Sequence, residues 1–196
     1  MKKSLASLVI FMALAFCQSA LAQTPAPDLK HFASQGLSFD YPATVELDDR
    51  SSQTGQHLVI QSKGHAQIMV VSRFTHITTA GELAAARREV VDGFVETIWQ
   101  QMLQSDPNVS RTAAKIDVAG AQAPGVRLRA VLNNEPGNAE IYSLQLGSRM
   151  VLLSLIGSDK EIAASTPAWL AIRRSLKTQS TPLALGSSAT AAGFLF

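Results

Sequence analysis

Three apolar, strand-like segments follow one another in the second half of the chain with only short connections between them, and this most narrows the fold. Gly125 to Leu132 alternates Val126, Leu128 and Ala130 with Arg127, Arg129 and Val131, the period of two expected of a strand. Asn133-Asn134-Glu135-Pro136-Gly137-Asn138 reads as a dense turn cluster. Ile141 to Leu146 and Arg149 to Ile156 are then separated only by Gly147-Ser148, the two-residue loop of a tight hairpin. A parallel neighbour would need a crossover of a dozen or so residues, so strands joined this closely run antiparallel as a meander.

The first half supplies further strands. Gly36-Leu37-Ser38-Phe39-Asp40-Tyr41-Pro42 alternates apolar and polar side chains and stops at a proline. Leu58 to Gln61 is a second short strand, and Lys63-Gly64 turns the chain into Gln67 to Phe74. Ile68, Met69, Val70 and Val71 make both faces of that last segment apolar, as in a central strand covered on two sides.

One long helix interrupts the strands. Thr79-Ala80-Gly81-Glu82 fits a capping box. Val90, Phe94, Ile98 and Met102 recur every four residues, flanked by Leu83, Val91 and Val95, while Arg87, Arg88, Glu89, Asp92 and Glu96 fall largely on the remaining surface. Asp106-Pro107 predicts an end by Ser105. Lys115 to Val118 reads as a short strand, and Ser165-Thr166-Pro167 as the start of a second helix that buries Trp169, Ile172 and Leu176.

The N-terminus carries an address. Lys2 and Lys3 precede an almost unbroken apolar run from Leu5 to Phe16, which leads to Ala20-Leu21-Ala22. This is the layout of a secretory signal peptide cut after Ala22 to leave Gln23 first. A bilayer span takes roughly 20 apolar residues, more than this run provides. A lipoprotein acylated at Cys17 is the alternative, opposed by bulky Phe16 immediately before it. The expected organisation is a cleaved signal over 1–22, a flexible lead-in over 23–31, one domain over 32–177 and a disordered tail over 178–196. Phe194-Leu195-Phe196 at the end of that tail prompts a further reading, outer-membrane association.

Cleavage changes what composition implies. Losing Lys2 and Lys3 takes the 17 basic side chains to 15, equal to the 15 acidic ones. A neutral chain without a basic stripe is a poor match for a nucleic-acid partner. The one cysteine lies in the signal, so disulfides, thiol catalysis and thiolate metal sites leave with it. The remaining length suits a single domain able to bury a sufficient core without crosslinks.

The opening Gly36 to Pro42, the long middle helix, the hairpin Tyr142 to Ile156 followed by Gly157-Ser158, and the closing Ala171-Ile172-Arg173-Arg174-Ser175-Leu176 resemble the PsbP-like superfamily over roughly 32–177. The resemblance implies an α+β fold, an antiparallel β-sheet with helices packed on both faces in an α/β/α sandwich. That superfamily includes accessory proteins of photosystem II, a nuclear Ran-binding release factor and bacterial envelope proteins. It implies a non-enzymatic accessory and carries no catalytic residues onto this chain. Fold alone does not choose a partner.

Chemistry in the sequence is sparse. His31, His57, His65 and His76 lack the helical spacing that puts two metal ligands on one face, although a hairpin near Lys63-Gly64 would let His57 and His65 meet. Asp48-Asp49, with Asp40 and Glu46, lacks the alternating ligands and glycine of a calcium loop and reads as a polar turn. Neither a nucleophile elbow nor a phosphate-cradling glycine loop occurs.

One candidate site remains. Arg127 and Arg129 point away from the layer of Val126, Leu128 and Ala130, and Ser143 and Gln145 on the next strand are read as sharing their face. Either carboxylates from the helix at Arg87 to Glu96 neutralise the arginines, or the strip lines a groove for an anionic or protein ligand. The expectation is a periplasmic accessory or binding protein of a Gram-negative-type envelope, with no cofactor, metal or catalytic activity. Its partner is another envelope protein or a small ligand. A small hydrolase or transferase with a scattered site is the alternative.

Overall fold

A computed structural model describes residues 28–73 and 77–178. The chain runs β1 (Leu29–Ser34), β2 (Leu37–Pro42), β3 (Glu46–Asp49), β4 (Gly55–Gln61), β5 (Gln67–Arg73), α1 (Ala80–Ala86), a π-helical segment (Arg87–Asp92), α2 (Gly93–Ser105), β6 (Ser110–Val118), β7 (Ala121–Leu132), β8 (Glu135–Leu146), β9 (Arg149–Ser158), α3 (Asp159–Ser175) and β10 (Lys177–Thr178). The signal, Cys17, the Ala22-Gln23 cleavage site, His76 and nearly all of the C-terminal tail lie outside the described residues.

The expected meander forms and extends: β6, β7, β8 and β9 are consecutive neighbours in a seven-stranded sheet of order β3-β4-β5-β9-β8-β7-β6. Every printed pairing in it is antiparallel. The expectation of one sheet is corrected by a second of three strands, β1-β2-β10. Strand β1 begins at Leu29, inside the segment read as lead-in, and stacks Phe32 on Phe39 with centroids 5.0 Å apart.

Three other readings are corrected. Only Asn133-Asn134 turns the chain between β7 and β8, at φ 52° and 67°, values asparagine tolerates in a primed hairpin. Strand β8 resumes at Glu135 and contains Pro136, because β9 pairs no farther than Gly137 and leaves the proline on an unshared edge. The acidic Glu46–Asp49 is an edge strand rather than a polar turn, its charges guarding against further pairing. The last helix begins at Asp159, because Ser158 and Glu161 form a capping box, and Pro167 lies inside it.

The middle helix starts as read, with Thr79 and Glu82 capping each other. Its π-helical stretch leaves no trace in a simple four-residue repeat. Alternate residues of β9 divide between two apolar clusters, as alternation along a strand requires. Val151, Leu153 and Leu155 pack with Trp169 and Ile172 of α3, and with Leu37 and Phe39 of the small sheet. Met150 and Leu152 pack with Val91 of the π-helical segment, Val95 and Met102 of α2, and Ile141 of β8.

Candidate binding cleft

The pairing register divides the expected site in two. Arg127 stands opposite Glu140 and Arg129 opposite Asn138, so the arginines share the face of Tyr142 and Leu144, which join the α3 cluster. Ser143 and Gln145 alternate with those residues and face the middle helix. The shared arginine-serine-glutamine strip is therefore corrected: a reading by alternation alone lacked the register between β7 and β8.

The arginines also find partners other than the middle helix. Arg127 places Nη2 2.8 Å from Glu140 Oε1, and Tyr142 donates its hydroxyl to the other Glu140 oxygen at 2.9 Å. Glu140 is only 13% exposed against 50% for Arg127, so the cation reaches out of water over a largely covered carboxylate. The neighbouring carboxylate raises the Arg127 pKa further. Burial first, then Glu140, pushes the Tyr142 phenol up to about 12. Arg129 grips Asp159 through both guanidinium nitrogens, Nη2 at 2.6 Å from Oδ2. That hydrogen bonding lowers the Asp159 pKa, and the carboxylate sits in the first turn of α3, where the helix dipole favours it.

Ser143 and Gln145 instead line a cleft of about 180 Å³ between the middle helix and the sheet, with Leu83, Arg87, Gln122, Pro124 and Met150. Strands β7, β8 and β9 supply its floor. Ser143 is 3% exposed, and its hydroxyl has no hydrogen-bond partner. Gln145 donates its amide to the Gly147 carbonyl at 3.0 Å. Arg87 opens the π-helical segment and is exposed; its guanidinium makes no ion pair or side-chain hydrogen bond with the described residues. Sequence reasoning left Arg87 on the outer surface, yet a signal was present: it lies four residues after Leu83, a spacing that puts both on one helical face.

A second cavity, of about 360 Å³, lies beside the turn after β4 and is lined by mixed charges, including Glu46, Asp48, Arg50, Lys63, His65 and Glu161. Here His65 Nδ1 is 2.9 Å from the Ser62 hydroxyl and 3.1 Å from the Lys63 carbonyl oxygen. A carbonyl only accepts, so the Lys63 contact calls for a proton on Nδ1, and a protonated Nδ1 has no lone pair with which to activate Ser62. Glu161 is engaged in capping Ser158. His57 pairs with Val71 near the far end of the β4–β5 hairpin, whereas His65 lies in its turn; the two do not meet. Among the described residues no three His, Cys, Asp or Glu side chains group to hold a metal ion. None of the described helices is long and apolar enough to cross a membrane.

No family model matches the chain, and no curated protein matches it. Among solved structures it is similar to cyanobacterial PsbP (CyanoP) from Synechocystis sp. PCC 6803, at 14% identity and TM-score 0.46, over 82% of this chain and 98% of that one. It is similar to a protein from Bacteroides thetaiotaomicron VPI-5482 at 10% identity and TM-score 0.49, over 78% of this chain and 49% of that one. The immunity protein TplEi of T6SS from Pseudomonas aeruginosa is similar at 13% identity and TM-score 0.38, over 82% of this chain and 53% of that one. This chain thus spans about half the length of the last two.

Proposed function

We propose that this chain is an exported, periplasmic accessory or binding protein without catalytic activity, a PsbP-like α/β/α sandwich that offers the cleft between its middle helix and β8 to an envelope partner or small ligand. The observation that carries this reading is the cleft's own chemistry. Arg87, a cation without a partner among the described residues, and Ser143, whose buried hydroxyl has no hydrogen bond, both line this cleft. Buried polar groups left unsatisfied cost stability, and a bound partner would complete them. The division of β9 between two clusters supports the sandwich. The basic start, apolar run and Ala20-Leu21-Ala22 support export.

The test is to purify the protein after expression of the full-length chain and present it to an envelope extract beside Gln122→Trp. Gln122 is an exposed residue lining the cleft, so the indole would cover the opening without touching the core. Retention of one defined protein or small molecule by the wild type and its loss from the variant is the expected result. Equal retention by both would move the surface elsewhere. Ester turnover abolished by Ser62→Ala would overturn the non-catalytic part.

A further inference from the structure

Deepening the binding reading, and resting on it, we infer that the cleft takes a small amphipathic monocarboxylate, its head held by Arg87 and the Ser143 hydroxyl and its apolar part against Leu83 and Met150. The cleft is lined by one cation, Arg87, by the polar residues Ser143, Gln122 and Gln145, and by apolar Leu83 and Met150. A guanidinium presents a planar fork that matches a carboxylate with two parallel hydrogen bonds. Phosphate or a dianion would draw on more positive charge than one arginine supplies, and Leu83 with Met150 would gain nothing from it. An apolar chain on the carboxylate uses both halves of the lining.

Two independent features point to a ligand. Ser143 lines the cleft, and its hydroxyl is buried and lacks a partner. Arg87 is the first residue of the π-helical segment, and such insertions, with their wider turn, recur at functional sites because they re-aim side chains. Ser154 supplies an internal control. It is buried and equally unpartnered, and alternation from Leu152 puts it on the same face of β9, but it does not line the cleft.

The experiment titrates the purified protein with sodium hexanoate, following backbone amide shifts, with 1-hexanol and inorganic phosphate as comparison probes. Hexanoate is expected to bind with shifts centred on Leu83, Arg87, Ser143 and Met150, and more tightly than either comparison. Arg87→Gln should weaken it about tenfold or more, as expected for loss of a charge-assisted pair. Ser143→Ala should weaken hexanoate binding several-fold while raising the melting temperature, because the unsatisfied hydroxyl is gone; Ser154→Ala should raise the melting temperature and leave binding unchanged. Hexanoate binding that is insensitive to Arg87→Gln, or phosphate binding as well as hexanoate, would overturn the ligand class. The cleft would survive as a surface if Gln122→Trp still abolished retention of an envelope component. Absence of hexanoate shifts at the cleft overturns the inference, and loss of the Gln122→Trp effect as well overturns the binding reading beneath it.

Discussion

Removing Arg127 asks whether the arginines of β7 hold the fold or meet a ligand. Arg127→Gln takes the cation from Glu140, whose side chain is 13% exposed. Breaking a fully buried pair costs about 3–5 kcal/mol and an exposed one about 0–1 kcal/mol. Arg127 is half in water and Glu140 keeps the Tyr142 hydroxyl, so the loss should fall between these limits, at about 1–2 kcal/mol. For a domain of this size that is a fall in melting temperature of about 2–8 °C. Arg129→Gln separates two half-exposed groups and should leave the midpoint unchanged within error. Urea denaturation of both variants, with Glu140→Gln and the Arg127→Gln/Glu140→Gln double variant, supplies the assay. A coupling of about 1 kcal/mol between 127 and 140 is expected. Equal effects at 127 and 129 would refute the burial argument that separates them, and loss of cleft binding in either variant with stability intact would refute the placing of these arginines away from the cleft.

Other perturbations probe the packing, the charges and the export reading. Gly125→Ala would place a Cβ against the Ile141 carbonyl oxygen, 2.5 Å from Tyr142 Cδ1 and 2.8 Å from its Cα; two backbone atoms in the way should make the cost about 3 kcal/mol, read by urea denaturation. Glu82 has its pKa lowered to about 2 by hydrogen bonds from Thr78 and Thr79. Its contribution is therefore complete above the ordinary carboxylate value and lost as pH falls toward 2, so Glu82→Gln should flatten the acid limb of the stability profile. Tyr142, raised to about 12, works with the opposite sign: stability present below the ordinary tyrosine value drains away between about pH 10 and 12, a loss that Tyr142→Phe should abolish. Mass spectrometry of the protein purified after expression of the full-length chain should find Gln23 first; a lipid-bearing Cys17 at the N-terminus would contradict cleavage after Ala22.

Much of the fold was legible because periodicity and turn chemistry are local. The β8–β9 hairpin at Gly147-Ser148, the Thr79-Glu82 capping box and the helix end at Ser105 follow from adjacent residues. Elements whose identity depends on distant partners were not legible. Strand β10 is two residues long and exists only as a neighbour of β2, and β3 is an acidic stretch that becomes a strand by lying along β4. Pro167 reads locally as a helix start, yet the Ser158-Glu161 capping box begins the helix earlier and leaves the proline inside it.

The site was half legible for the same reason. Ser143 and Gln145 line the cleft, but alternation alone does not fix the register that separates Arg127 and Arg129 from them. The register observed pairs Arg127 with Glu140, which turns both arginines to the other face. Arg87 was missed because an exposed arginine on an amphipathic helix ordinarily faces solvent, and the π-helical turn that begins there has no simple sequence mark.

Amide hydrogen exchange over the whole chain, with and without the envelope component retained by the protein, compares the two cavities directly. Slowed exchange in Ala80–Asp92 and in Ile141–Leu146, with Glu46–Arg50 and Ser62–His65 unchanged, is the predicted outcome. Protection confined to the mixed-charge cavity beside His65, or none at either place, would contradict the claim that this fold acts through the cleft beneath its middle helix.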